Sequence, residues 1–259
     1  MPRAQAAIQR ALQLSPGAGE AHLWLGATLL LYDWKWREAE AEMRRSIELN
    51  PEYSLSHAWL AVLLAVRLRF EESLTSIGRA LALDPLSLTI QLLAGRCFFW
   101  AGRYPEALHY LRALLEVDQR NLLATTWQAR VLRRTGLRDE ALEVPTRGIE
   151  NFGRDYRLLG ELVVVQSLLG RPAACREVLA ELQTNSPDST YAAVGLAAIG
   201  DIDGAIAAME AAIAGRTGAL LFLHINFGDV PAIRNEVRIR GILSSIGLGL
   251  PPETVQARV

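Results

Sequence analysis

The sequence is poor in the residues that usually announce chemistry. It holds two cysteines, Cys97 and Cys175, in 259 residues, with no CxxC pair and no histidine beside either. A disulfide framework or a zinc site needs more than that. A reducing compartment is therefore expected, and with it a cytoplasmic location. No charge of one sign dominates: 27 Lys and Arg face 28 Asp and Glu, so no overall field draws the chain to nucleic acid or to an anionic membrane. No apolar run approaches the roughly 18 residues that a bilayer-crossing helix needs. The opening MPRAQAAIQRALQLSP is basic, but it lacks the long apolar core of a secretory signal and reads as folded helix. Phosphate-cradling loops, a nucleophile elbow and HExxH are also missing. The carboxylates Glu38, Glu40 and Glu42 sit beside Arg44 and Arg45, where solvation and i,i+4 pairing account for them. No catalytic residue, no cofactor and no metal is expected, and the chain reads as a non-enzyme.

What is present is a period. Segment ends recur at Pro16, Pro51, Pro85, Gln119, Gly153 and Pro187, at steps of 35, 34, 34, 34 and 34 residues. Internal repetition of this kind decides the fold before any local detail. Each period carries a small residue within a first amphipathic helix (Gly26, Ala61, Gly95, Ala129). A short turn follows, often with glycine (Gly102, Gly136, Gly170), then a second helix with its own small residue (Ala39, Ser73, Ala107, Ala141, Cys175). A glycine inside a helix costs about 1 kcal/mol relative to alanine, so its return at one phase marks the close passage of a partner helix. The pattern predicts helices at 19–32 and 36–49, 54–67 and 70–83, 88–101 and 104–117, 122–135 and 138–150, 155–169 and 172–185, then 188–199 and 201–214. One extra residue near Asp33–Trp36 explains the 35-residue step. Pro145 falls inside a predicted helix and should bend it or delay its start.

Gly95, Phe98, Gly102, Tyr104 and Ala107 stand where the tetratricopeptide repeat (TPR) family places small, aromatic, glycine, aromatic and alanine residues. Over residues 2–214 the chain resembles that family. His22 and His57 occupy the slot where the family often has tryptophan, and Gln119 and Gly153 replace the usual closing proline. The resemblance implies an all-α fold: a right-handed α–α superhelix, or solenoid, spanning residues 1–259. It would hold a half-repeat at 2–14, six helix pairs at 19–214, capping helices at 215–247 and a tail at 248–259. Within the cap, a short helix from Leu220, a turn at Gly228–Pro231 and a last helix near 235–246 are expected.

The YDWKWREAE, ALDPLS and RNEVRIRGILSSIGL segments look like the C-terminal TPR region of bacterial multidomain regulators, in which such an array follows an adenylate or guanylate cyclase, winged-helix or Ser/Thr kinase domain. That likeness implies the interaction half of a signalling or transcription-regulating protein. In TPR arrays the first helices line a concave groove. Projected onto it, Trp24 and Trp59 begin an apolar stretch, and Arg96, Phe99, Trp100, Trp127, Arg130, Arg133 and Arg134 turn it basic. Trp100 and Trp127 are expected at an accessible surface, whereas Trp24 and Trp59 lean toward the core. Arg and Trp are the types enriched at binding hot spots. The expected partner is a protein or peptide segment with apolar and acidic character, bound without nucleic acid or membrane. The alternatives are self-association through residues 2–14, or a fragment of a cyclase or kinase.

Overall fold

The computed structural model describes residues 2–185 and 189–249, and all regular structure among them is helical. Pro187 and residues 250–259 of the expected tail lie outside the described residues, as does the side chain of Ala4. The chain divides into two compact units, Met1–Cys97 and Phe98–Val259. The first unit holds α1 (Pro2–Leu14), α2 (Gly19–Thr28) prolonged by a π-helical turn (Leu29–Asp33), α3 (Trp36–Leu49), α4 (Ser54–Val66), α5 (Phe70–Leu83) and most of α6 (Leu88–Trp100). The second holds α7 (Tyr104–Val117), α8 (Leu122–Arg134), α9 (Arg138–Phe152), α10 (Tyr156–Leu168), α11 (Pro172–Asn185), α12 (Ser189–Ile199) and α13 (Ile202–Ala214). A 3₁₀ turn at Gly218–Phe222, α14 (Leu223–Asn226), α15 (Pro231–Asn235) and α16 (Val237–Ser245) follow. Leu248, placed in the expected tail, is buried.

The helices pack as consecutive pairs. In the first unit α2 lies on α3 and α4 on α5; in the second, α8 lies on α9, α10 on α11 and α12 on α13. The reason is visible in α3, where Ala39, Met43 and Ser46 are buried while its Glu and Arg residues face outward. Spacings of four and three residues put those three on one stripe. The small residues do what their periodicity implies. A Cβ added to Gly26 would stand 2.8 Å from Met43 Cγ and 2.9 Å from the Ala39 carbonyl oxygen, so α3 passes too close for any side chain. Ala39, Ala61, Ala107, Ala129 and Ala141 are fully buried, and Gly95 is buried as well. Where the small residue is Ser73, its hydroxyl donates to the Ala61 carbonyl at 2.8 Å.

The turn inside each pair is set by one left-handed residue. Positive φ occurs at Trp34, Leu68, Gly102, Gly136 and Gly170, each 34 residues after the last. Glycine accepts this region freely; tryptophan and leucine do so at a cost of about 1–2 kcal/mol. In four of these turns the next amide closes a Schellman bond five residues back: Arg69 to Leu64, Arg103 to Phe98, Leu137 to Leu132 and Arg171 to Gln166. The first turn differs. Lys35 N–H reaches six residues back, to Leu29 O at 3.0 Å. The extra residue is thus absorbed as a π-helical turn, one turn earlier than the sequence placed it.

The histidines have a structural task. The His22 Nε2–H donates to the Pro16 carbonyl at 3.0 Å, and the His57 Nε2–H to the Pro51 carbonyl at 2.9 Å. The Gln91 side-chain amide repeats the contact on Pro85 at 3.0 Å. Each satisfies a carbonyl left open where the previous helix ends. Of the two outcomes expected at Pro145, the late start does not occur: α9 starts at Arg138 and runs through the buried proline to Phe152.

Candidate functional site

In the first unit, Trp24 on α2 is 43% exposed and Trp59 on α4 is half-buried. Their rings meet edge to face, with centroids 6.4 Å apart. Around them lies a concavity of about 410 Å³, walled by Ala7 and Ile8 of α1, by Ala27, Thr28, Leu31 and Tyr32, and by the two indoles. That volume is in the range of small-ligand pockets. No charged side chain lines it, and the Thr28 hydroxyl is already committed to the Trp24 carbonyl at 2.8 Å. The surface is an apolar, aromatic one, open rather than packed, against the lean toward core for these tryptophans. On the same helices Leu23, Val62 and Ala65 are fully buried core, and Arg96 on α6, also projected into the groove, is half-buried.

In the second unit the expected basic groove is closed. Trp100 and Trp127 are 3% and 6% exposed, and Arg130 is 1% exposed. The accessible surface predicted for Trp100 and Trp127 is therefore corrected, and over Trp100 the covering comes from the segment after α13. Phe222 stacks flat on Trp100, with centroids 5.4 Å apart and planes 2° from parallel. The Trp100 indole N–H donates to Asn226 Oδ1 at 2.8 Å, and Trp127 meets both Phe99 and Trp100 edge to face. Phe99 is buried too.

The arginines are consumed by the chain itself. Arg130 Nε donates to Glu161 Oε1 at 2.8 Å, and its Nη2 contacts the same oxygen. The guanidinium also lies 4.4 Å from the Trp127 ring centre and 4.8 Å from that of Phe227. Arg133 reaches Glu161 Oε2 at 3.3 Å, Asp229 Oδ2 and the Asn226 carbonyl, the last at 3.0 Å. Arg134 donates to the Tyr104 hydroxyl at 3.0 Å and lies 3.6 Å from Asp229 Oδ1. Burial disfavours the Arg133 charge, but Asp229 and Glu161 outweigh it and push its pKa above the ordinary value. Glu161 is completely buried, a burial tolerable only because two guanidiniums meet it. This cluster is a structural clasp, and its acidic element is supplied from within by Asp229 and Glu161.

The sequence reading missed Asn226, Asp229 and Phe227 as partners of these arginines. Their signal was present: three arginines at positions 130, 133 and 134 of one helix demand carboxylates if that helix is buried. Polar Asn226 and Asp229 also stand out in the apolar run LLFLHINFGDV. Among the described residues no group of three His, Cys, Asp or Glu is arranged to hold a metal ion. Burial raises the Cys97 thiol to about 12, against the Ser73 hydrogen bond and the nearby Arg96 charge, which both favour the thiolate. No single helix among the described residues is long and apolar enough to cross a membrane.

Residues 67–116 and 101–147 match the model of the tetratricopeptide repeat family. Over that stretch the chain is similar to tetratricopeptide repeats. No curated protein matches the chain, but solved TPR-like structures do. PilW, a type IV pilus biogenesis factor, is 23% identical with a TM-score of 0.61, covering 74% of this chain and 88% of PilW. A TPR protein from Parabacteroides merdae is 17% identical with a TM-score of 0.66, covering 84% of this chain and 90% of that one. The Cut9–Hcn1 assembly of the APC/C is 14% identical with a TM-score of 0.64, covering 95% of this chain and 46% of the other. At these identities the likeness extends to the TPR fold alone.

Proposed function

We propose that the chain is a protein-interaction scaffold that captures an apolar segment of a partner on the Trp24–Trp59 face. One observation carries the reading: two tryptophans at the same repeat phase, 35 residues apart, wall an uncharged concavity of about 410 Å³ instead of packing into the core. Large aromatics left accessible in an apolar pocket are the usual anchors of protein recognition. The acidic half of the expected partner drops out, because Arg130, Arg133 and Arg134 are engaged by Glu161, Asp229 and Tyr104.

A place as the regulatory half of a bacterial signalling protein belongs to the same proposal. It rests on the likeness of the YDWKWREAE and RNEVRIRGILSSIGL segments to the bacterial regulators. A reducing, cytoplasmic setting suits two buried free cysteines. No catalytic role is part of the proposal. The test is selection of a random peptide library on the immobilised chain. Selected peptides should bind the wild type and lose binding to a Trp24→Ala/Trp59→Ala variant. Peptides that bind both proteins equally would overturn the reading.

A further inference from the structure

We infer that the segment seated beside Trp24 is α1 of a second copy of this chain, which takes the place of a first helix and pairs the two chains about a two-fold axis. The inference rests on the reading of the Trp24 face given above and names what fills it.

Two faces of the first unit lack a cover that their counterparts have. Each second helix buries three residues at spacings of four and three: Ala39, Met43 and Ser46 in α3, and Ser73, Ile77 and Ala80 in α5. The same phases are buried in α7, α9, α11 and α13. The first helix of each pair covers them, as Gly26 of α2 lies on Ala39 and Met43. In α1, Ile8 and Ala11 stand 35 residues before Met43 and Ser46, yet both are only half-buried. The other face belongs to α2. At the phase of Trp24, side chains of later repeats pack on the first helix before them: Trp59 on Trp24, Trp127 on Phe99 and Trp100, Glu161 on Arg130. Trp24 itself is 43% exposed. Both open faces border one concavity, which Ala7, Ile8 and Trp24 share. A single helix, antiparallel to α1 and alongside α2, would cover both.

The repeats state what that helix must bring. Gly26 shows the rule: a first helix sets a small residue against the large one of its partner's stripe. A second α1 meets this demand. Laid antiparallel on the first, with the two-fold axis between Ala7 and Ile8, it faces each exposed Ala7 with Ile8 of the other copy. An isologous interface makes this contact twice. The charges agree as well. α1 carries Arg3 and Arg10 and no acid, and the antiparallel direction brings position 3 of one copy to the start of α2 in the other, where Glu20 is exposed. Opposite charges at the rim fix the orientation of such a pair. Helices of 13 residues bury little area, so the pairing belongs to the weak class and leaves Trp24 open in the dilute chain.

Sedimentation equilibrium of the full chain from about 1 to about 300 µM tests this. The mass should rise from 28.5 kDa toward twice that value. Ala7→Arg, at an exposed position, should leave the circular dichroism unchanged and keep the chain monomeric. Glu20→Lys should weaken association about fivefold, because the two-fold axis counts the charge pair twice. Adding Arg3→Glu to it should restore association, a rescue that misfolding would not give. Hydroxyl-radical modification of Trp24 should fall as the mass rises, while that of Trp127 stays constant. A mass of 28.5 kDa at every concentration overturns the inference, and so does association that survives Ala7→Arg. If that monomeric chain still binds selected peptides through Trp24 and Trp59, the occupant is a foreign segment: the inference fails and the groove reading stands.

Discussion

The indole of Trp100 donates its hydrogen to Asn226 at 2.8 Å, joining α6 to α14 across 126 residues of chain. That single bond, with the Phe222 ring stacked beside it, fastens the segment after α13 onto the second unit. Asn226→Ala removes a buried acceptor from a buried donor and should cost about 1–3 kcal/mol. Urea unfolding followed by circular dichroism measures it, and an unchanged midpoint would contradict the fastening.

Glu161 holds two guanidiniums in a site without solvent. Glu161→Ala strands Arg130 and half of Arg133, and should cost about 3–5 kcal/mol. Replacing Arg130 and Glu161 together by Met and Leu should cost markedly less, because no unpaired charge remains. A double variant as unstable as the single one would show that the cluster is not an ion-pair clasp. On this view Arg130→Ala with Arg134→Ala loosens the second unit, whereas the sequence alone predicted weaker partner capture with an intact fold.

The glycine turns separate two kinds of constraint. A Cβ at Gly136 meets nothing within 4 Å, but φ there is +78°. Gly136→Ala should therefore cost about 1–2 kcal/mol through the backbone alone. Gly26 has ordinary helical geometry, and a Cβ there runs into Met43 and the Ala39 carbonyl, so Gly26→Ala should cost about 1–3 kcal/mol through overpacking. A Met43→Ala second change should recover part of the loss at Gly26 and none at Gly136. Thermal melts of the four variants decide this.

Glu40 gives the first unit an acid limit. Burial alone would raise its pKa, but hydrogen bonds from Arg44 and Arg69, with their charges, hold it below its ordinary 4.5. A folded-state pKa depressed in this way stabilises the fold fully above the unfolded value and is lost as pH falls through the folded one. The gap in melting temperature between wild type and Glu40→Gln should stay constant from pH 8 to about 5 and narrow below about pH 4.5. A gap that does not change with acid would contradict the pairing of Glu40 with Arg69 at 2.8 Å.

The repeat was legible because it is local. Helix pairs of fixed length write their nesting residues into the sequence every 34 positions, so Gly26, Ala39, Ala107 and the turn at Gly102 could be placed without coordinates. Even the extra residue near Asp33 showed as a 35-residue step, although its absorption as a π-turn at Leu29–Asp33 did not, since hydrogen-bond register leaves no compositional mark. The site was harder to read. Trp24 and Trp127 share one repeat phase, and the sequence placed the first toward the core and the second at the surface, yet Trp24 is open and Trp127 covered. Phe99, Trp100 and Arg130 close around Trp127, and Trp100 is in turn held by Phe222 and Asn226, which lie roughly a hundred residues beyond α8 and outside the period. Long-range covering of that kind follows from packing, not from periodicity.

Hydroxyl-radical footprinting read by mass spectrometry tests the central distinction most directly, because it reports the exposure of each tryptophan separately in the native chain. The account predicts rapid modification of Trp24, slower modification of Trp59, and protection of Trp100 and Trp127 that persists until the second unit unfolds. Trp127 reacting as fast as Trp24 in the folded protein would contradict it.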